Sequence, residues 1–123
     1  PLKFEEFEAW VNEHFAGFNM EIRPYQIEAA YKILKNRSCV AELATSAGKT
    51  LISYIIVSYM LQKEKANKIL FIVPSVSLVT QGVSDFKTYA RFVENPVKIK
   101  LYTLLIILDL IYVVKCRQNN ARI

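Results

Sequence analysis

A stretch of mostly small residues constrains this chain more than any other feature: Leu43-Ala44-Thr45-Ser46-Ala47-Gly48-Lys49-Thr50. Residues 38–43, which lead into it, predict a short buried strand. The apolar residues after it predict a helix from Lys49 to about Lys63. A chain that passes from a buried strand through a tight turn into an apolar helix has the local organisation of an α/β fold.

The rest of the chain extends this pattern. Residues 69–73 form a continuous apolar run closed by Pro74, which predicts a strand buried on both faces. Val76, Val79, Val83 and Phe86 then predict another helix. Alternation of strand and helix predicts a parallel sheet with right-handed crossovers. Two amphipathic helices are predicted upstream, one marked by Phe4, Phe7, Val11 and Phe15, the other opened by Pro24.

The turn at 43–50 has the chemistry of a phosphate-binding loop. Small side chains let backbone N–H groups surround a polyphosphate, and Gly48 can adopt a conformation denied to other residues. Lys49 would reach the β- and γ-phosphates of ATP, and the Thr50 hydroxyl would hold Mg²⁺. Leu43 departs from the general G-x-x-x-x-G-K-[ST] pattern, which has Gly there. An ordinary strand-to-helix turn that contains Gly-Lys-Thr is the alternative.

Three segments in order resemble motifs of superfamily 2 helicases, most closely the phage UvsW-type DNA helicases. Residues 43–50 resemble motif I, Arg23-Pro24-Tyr25-Gln26 resembles the adenine-recognition element before it, and residues 72–81 resemble motif Ia. The resemblance implies an incomplete RecA-like P-loop NTPase domain that binds ATP and Mg²⁺. It also implies single-stranded or branched DNA as partner.

The resemblance implies roles for individual residues. ATP would be bound by Arg23, Tyr25, Gln26 and each residue of 43–50, with Lys49 and Thr50 catalytic. Nucleic acid would be bound by Pro74, Ser75 and Gln81. The Gln26 amide has a donor and an acceptor that match adenine and not guanine. The alternatives are a core role for Tyr25, a solvated Gln26, and a helix cap at Ser75 or Ser77.

The chain lacks parts that such a motor needs. It contains no Asp-Glu pair, the nearest substitute being Asp109, which is followed by Leu110. The second RecA-like domain and its arginine finger are also absent, so the chain alone should turn ATP over poorly. We divide it into an N-terminal helical extension (1–22), the first part of helicase domain 1 (23–95) and an atypical tail (96–123). A truncated or frame-shifted reading frame is our hypothesis for the tail.

Charge and composition limit the partners that the chain can have and its location in the cell. The net charge is +5, and residues 51–123 carry ten Lys or Arg against four Asp or Glu. This excess suits a polyanion, although ordinary solubilising charge explains it equally well. The apolar run 101–114 is too short to span a membrane, and Cys39 and Cys116 fit no metal spacing. We expect a cytoplasmic protein of a bacterial or phage-infected cell.

Two other functions remain open on the sequence. A small P-loop kinase or ATPase of another class would explain the turn but neither flanking motif. A non-catalytic fragment that only binds nucleic acid would explain the missing acidic pair.

Overall fold

The computed structural model describes residues 1–18, 20–43, 48–66, 68–73, 75–93 and 95–98, and the backbone of 121–122. Most of the described chain is helical. The elements in order are α1 (Phe4–His14), α2 (Pro24–Asn36), β1 (Cys39–Val40), α3 (Lys49–Gln62), α4 (Val76–Phe92) and β2 (Ala121–Arg122).

The two N-terminal helices form where the sequence predicts them. In α1 the apolar side chains of Phe7 and Val11 lie one turn apart and are buried, and Glu5 and Glu6 in its first turn favour the positive end of the helix. In α2 Pro24 occupies the first turn, where its missing N–H is no loss. The buried stripe of α2 comprises Gln26, Ile27, Ala29, Ala30 and Leu34.

Helix α3 lies at the centre of the core. It packs against α2 on one side and α4 on the other, so it is apolar around most of its circumference. Tyr54 and Ile55 are completely buried. The Tyr54 ring contacts three aromatic rings, with centroid distances of 6.0 Å to Phe15, 5.2 Å to Phe86 and 5.4 Å to Tyr89. This cluster joins the N-terminal segment to α4 through α3.

Two side-chain links hold the last turn of α3. The indole Nε1 of Trp10 donates to Gln62 Oε1 at 2.8 Å. Both terminal nitrogens of Arg37, just past the end of α2, donate to the carboxylate of Glu64 at 2.8 Å. The paired N–H groups match the two carboxylate oxygens, which is the strongest geometry for an ion pair of this kind. The C-terminal end of α3 is therefore tied to both α1 and α2.

The predicted parallel sheet is represented among the described residues by one short pair of strands. Cys39 and Val40 form β1, inside the strand predicted at 38–43, and pair in parallel with Ala121 and Arg122. The pairing is parallel as predicted, but it is two residues long. The wider parallel sheet is therefore not confirmed by the described residues.

The prediction of a buried strand at 69–73 is wrong for this structure. The segment has no regular secondary structure, and Leu70 is 76% and Ile72 71% exposed. A strand in the middle of a sheet needs backbone partners on both edges and apolar cover on both faces. None of the described residues pairs with this segment. Its apolar composition alone does not make it a strand.

The division of the chain into segments 1–22, 23–95 and 96–123 remains a prediction. Within the described residues, α1 packs directly on α2 and α3, and the Tyr31 hydroxyl donates to the Leu2 carbonyl oxygen at 3.1 Å. No helix among the described residues has the length and apolar character needed to cross a membrane.

Candidate nucleotide-binding site

The described part of the predicted phosphate loop lies at the start of α3. Gly48 is the N-cap of this helix and has a left-handed backbone, with φ +69° and ψ 45°. Lys49 is the first residue of the helix and its side chain is exposed, whereas Thr50 is half-buried. Leu43 is half-buried and packs against the core. The predicted phosphate contacts of Ala44, Thr45, Ser46 and Ala47 lie outside the described residues.

The packing of α3 fixes the direction of this N-terminus. Leu51 and Ile52 are buried within one turn of Lys49, and the Ile52 N–H donates to the Gly48 carbonyl oxygen at 3.1 Å. The first N–H groups of any α-helix have no partner inside the helix, and they carry the positive end of its dipole. A helix anchored this way can present those groups to an anion without rearranging.

The predicted base-recognition element begins α2. Gln26 is buried, with 5% of its surface exposed, and its Oε1 accepts a hydrogen bond from the Arg23 backbone N–H at 2.9 Å. Tyr25, beside it, is 37% exposed, and Arg23 is exposed. The alternatives of a core Tyr25 and a solvated Gln26 are therefore both wrong. Tyr25 is therefore partly exposed at the surface, whereas Gln26 is buried.

The structure brings Gln26 and Gly48 together across 22 positions of sequence. The Gln26 Nε2 atom lies so close to Gly48 that a β-carbon at position 48 would overlap it. Position 48 therefore requires glycine for two independent reasons, the left-handed backbone and the close approach of an amide. The side chain of Gln26 fills the space that a β-carbon at position 48 would need.

The predicted nucleic-acid residues lie at the start of α4. Ser75 is the N-cap, and its Oγ accepts from the Leu78 N–H at 3.3 Å and lies 3.1 Å from Ser77 Oγ. The helix-cap interpretation of Ser75 is thus confirmed, and its hydroxyl remains exposed. Gln81 is exposed and donates through Nε2 to Asp85 Oδ1 at 2.8 Å. Pro74 lies outside the described residues.

Comparison with known proteins decides the family. The family described as "Type III restriction enzyme, res subunit" matches residues 19–112, most of the chain. The ATP-dependent DNA helicase uvsW of Enterobacteria phage T4 is 38% identical over 101 residues, covering 79% of this chain and 20% of that protein. The chain belongs to this family of superfamily 2 helicases. The ATP-dependent RNA helicase DHX58 of Mus musculus is 32% identical over 68 residues, covering 55% of this chain and 10% of that helicase.

Membership confirms the resemblance read from the three motifs, and it implies a P-loop NTPase fold and the use of ATP. The chain spans about a fifth of the length of the DNA helicase and a tenth of that of the RNA helicase. No solved structure gives a significant match to it.

The metal expected of a superfamily 2 helicase would be held mainly by phosphate oxygens and by Thr50. Within the described ranges, no three His, Cys, Asp or Glu side chains lie close enough to form a metal site of their own. A hydroxyl in the first turn of a helix is a suitable ligand for Mg²⁺, which keeps several waters and takes few protein ligands. The position of Thr50 fits that role.

A cleft of about 240 Å³ lies at the opposite end of α3 from Gly48. Its lining is mostly polar and comprises Trp10, Glu13, His14, Gln62, Lys63 and Asn95. Fourteen helical residues separate the two ends, a distance of about 20 Å. The cleft is therefore not the site that the helicase motifs predict.

His14 in this cleft should make stability depend on pH. Its ring stacks on Trp10 at 4.9 Å, its Nε2 is buried with no hydrogen-bond partner among the described residues, and burial lowers its pKa from the ordinary 6.5. The unfolded chain therefore takes up the proton more readily. The stability that depends on neutral His14 is fully present above about pH 6.5. It is lost as the pH falls from there toward the lower pKa that His14 has in the folded chain.

We expect the urea midpoint to fall between pH 7.5 and pH 5.5, and to fall less in a His14→Phe variant, which keeps the stacked ring but has no titrating group. Glu13 and Lys63 line the same cleft and are unchanged in the variant, so the comparison isolates His14. An equal fall of the urea midpoint in the wild type and in His14→Phe would contradict the role of His14.

Proposed function

We propose that this chain forms the nucleotide-binding first part of an ATP-dependent DNA helicase or translocase motor domain. ATP would be bound between the N-termini of α2 and α3, and DNA would contact the segment from Pro74 to Gln81. Single-stranded or branched DNA is the proposed partner, since the chain is 38% identical to a protein named as a DNA helicase. A parallel RecA-like sheet completed by further strands, and a cytoplasmic location, belong to this proposal.

The contact between Gln26 and Gly48 carries the proposal. Two motifs that are separate in sequence are expected to bind the base and the phosphates of one nucleotide, so their residues must lie within one ligand's length. Gln26 and Gly48 are in van der Waals contact, which satisfies this requirement.

Each proposed contact has a distinct chemical role. The first N–H groups of α3 and the exposed Lys49 ammonium would neutralise the phosphates. Thr50 would ligate the Mg²⁺ that bridges phosphate oxygens and offsets their charge. Tyr25, with 37% of its surface exposed, would stack on the base, and Gln26 would distinguish adenine from guanine.

The sequence favours slow turnover by the chain itself. It has no Asp-Glu pair to orient an attacking water, and phosphoryl transfer depends on positioning and charge neutralisation. The missing pair is the specific observation that favours the second candidate, a non-catalytic nucleic-acid-binding module. A steady-state ATPase assay separates them, because rapid hydrolysis by the isolated chain would exclude a non-catalytic module.

ATP should protect the fold against heat more than GTP does, and Lys49→Ala should remove most of this protection. The lysine interacts with two phosphates, and loss of such a charge contact weakens binding by about tenfold or more. The measurement is the midpoint of thermal unfolding with and without an excess of the Mg-nucleotide, because a ligand that binds only the folded chain raises this midpoint. Lys63→Ala is the matched control, since Lys63 is an exposed lysine just past the other end of α3. Equal protection by both nucleotides would remove the role given to Gln26.

Single-stranded DNA should bind with an affinity that falls steeply with salt, because contacts to phosphates release counterions. Ser75→Gly should weaken binding by about fivefold, the effect of one hydrogen bond to a charged group. Glycine is tolerated at an N-cap, so α4 should keep its start. Fluorescence anisotropy of a labelled oligonucleotide measures both effects. Thr88→Ala, in the same helix, should bind as the wild type does; salt-independent binding would argue against the DNA role.

A further inference from the structure

An exposed apolar surface extends from the segment before α4 into the first turn of that helix. Nine large apolar side chains are exposed among the described residues, and five of them form what we call the 70–78 surface: Leu70, Phe71, Ile72, Val76 and Leu78. Together they present on the order of 500 Å² of apolar surface, as much as the largest patch on a typical soluble monomer. Residues 69–84 contain no charged side chain, so covering this surface removes no ion from water.

Side chains in the segment 69–73 alternate between the core and the solvent. Ile69 packs against the core, and the centroid of the Phe71 ring lies 6.2 Å from that of Phe86 in α4. Leu70 and Ile72 are 76% and 71% exposed. No described residue forms a backbone hydrogen bond with this segment. A period of two, with one side on the core, is the pattern of an extended edge whose free N–H and C=O groups can accept another chain.

We infer that two copies of this chain associate through the 70–78 surface, with their segments 69–73 side by side and antiparallel. A two-fold axis of this kind places Leu70 of one copy beside Ile72 of the other, so this apolar pair forms twice. It sets the two Lys68 ammonium groups at opposite ends of the contact. Parallel segments would set them about 5 Å apart, and like charges at that distance destabilise a pair. The inference needs neither nucleotide nor DNA, so it goes beyond the proposed function.

The size of the surface limits the strength of the association. Two copies would bury about 1,000 Å² in total, which is the lower limit for a specific interface. Such a contact predicts a reversible dimer whose population depends on protein concentration. The net charge of +5 on each copy opposes association. Because salt screens this repulsion, the dimer should become stronger as salt is added, which is the opposite of the salt dependence expected for DNA binding.

Sedimentation velocity of the 123-residue chain without nucleotide tests the inference. Over roughly a hundredfold range of protein concentration around the micromolar, the average mass should rise from 14.2 kDa toward twice that value and then stop. Ile72→Lys should weaken association by about a hundredfold, because each dimer contains the change twice and each change removes an apolar contact. Met20→Lys, at an exposed methionine outside this surface, should associate as the wild type does.

A mixture of two variants tests the antiparallel arrangement. Leu70→Glu should also associate weakly by itself, but an equal mixture with Ile72→Lys should form dimers, because the new carboxylate then lies beside the new ammonium group. Helical circular dichroism confirms that each variant is folded. The inference is overturned if the wild type stays monomeric, if its mass rises beyond two copies, if neither variant weakens association, or if the mixture associates no better than its parts. A monomeric wild type that binds Mg-ATP would overturn this inference and leave the proposed function intact.

Discussion

A chain with Gly48→Ala is expected to lose ATP-dependent thermal protection. Its free energy of unfolding should also fall by about 2 kcal/mol or more. A left-handed backbone costs a residue with a β-carbon roughly 1–2 kcal/mol, and the added carbon overlaps the Gln26 amide. Relief of the overlap must move either α2 or the N-terminus of α3. Both movements disturb the proposed site, so binding and stability should fall together in urea titrations with and without ATP.

The other two glycines are matched controls for Gly48. Gly17 has φ +81° but open space around it, so Gly17→Ala measures the backbone effect alone. Gly82 lies within α4, also in open space, and Gly82→Ala should stabilise the chain by about 0.5–1 kcal/mol through helix propensity. Adding Gln26→Ala to Gly48→Ala should recover the steric part of the loss. If Gly48→Ala and Gly17→Ala were equally destabilising, the close approach of Gln26 would be refuted.

Replacement of Tyr54 by alanine should have the largest effect on stability. Its side chain is fully buried at the centre of α3 and contacts Phe15, Phe86 and Tyr89. Truncation of a buried aromatic residue lowers the free energy of unfolding by about 3–5 kcal/mol. This is a large part of the total stability of a small domain, about 5–15 kcal/mol. We therefore expect a partly unfolded chain at 37 °C, measured by circular dichroism.

Tyr54→Phe keeps the ring and removes only the hydroxyl. That hydroxyl is buried near Ser58 without a well-formed hydrogen bond in the described part of the chain. Removing an unsatisfied polar atom should leave stability unchanged or raise it by up to about 1 kcal/mol. A loss of more than 2 kcal/mol in Tyr54→Phe would show that the hydroxyl has a strong partner, and the packing argument for Tyr54→Ala would then be incomplete.

The helices could be predicted from the sequence because their determinants are local. The spacing of Phe7 and Val11 predicted α1, and Pro24 placed the start of α2 at the residue where the structure has it. Helical hydrogen bonds join residues four apart, so a short window of sequence contains both partners. The phosphate-loop pattern likewise placed the start of α3 at Lys49.

Whether the segment 69–73 forms a strand could not be predicted in the same way. The hydrogen-bond partners of a strand lie elsewhere in the chain, and an apolar run shows only that the segment would be stabilised by burial, not that other residues cover it. The burial of Gln26 is a second example. A glutamine one turn into a helix is usually solvated, and its contact with Gly48 exists only because α2 and α3 begin side by side. No local pattern contains that information.

The two ends of α3 are held by different kinds of contact. Hydrogen bonds from Trp10 to Gln62 and from Arg37 to Glu64 join its C-terminal end to α1 and α2, whereas burial of Leu51 and Ile52 holds its first turn. An α-helix of this length, about 20 Å, moves largely as one body, so a rotation of about three degrees around one end would displace the other by about 1 Å. Hydrogen bonds remote from the proposed nucleotide site would therefore contribute to how accurately Gly48 is placed.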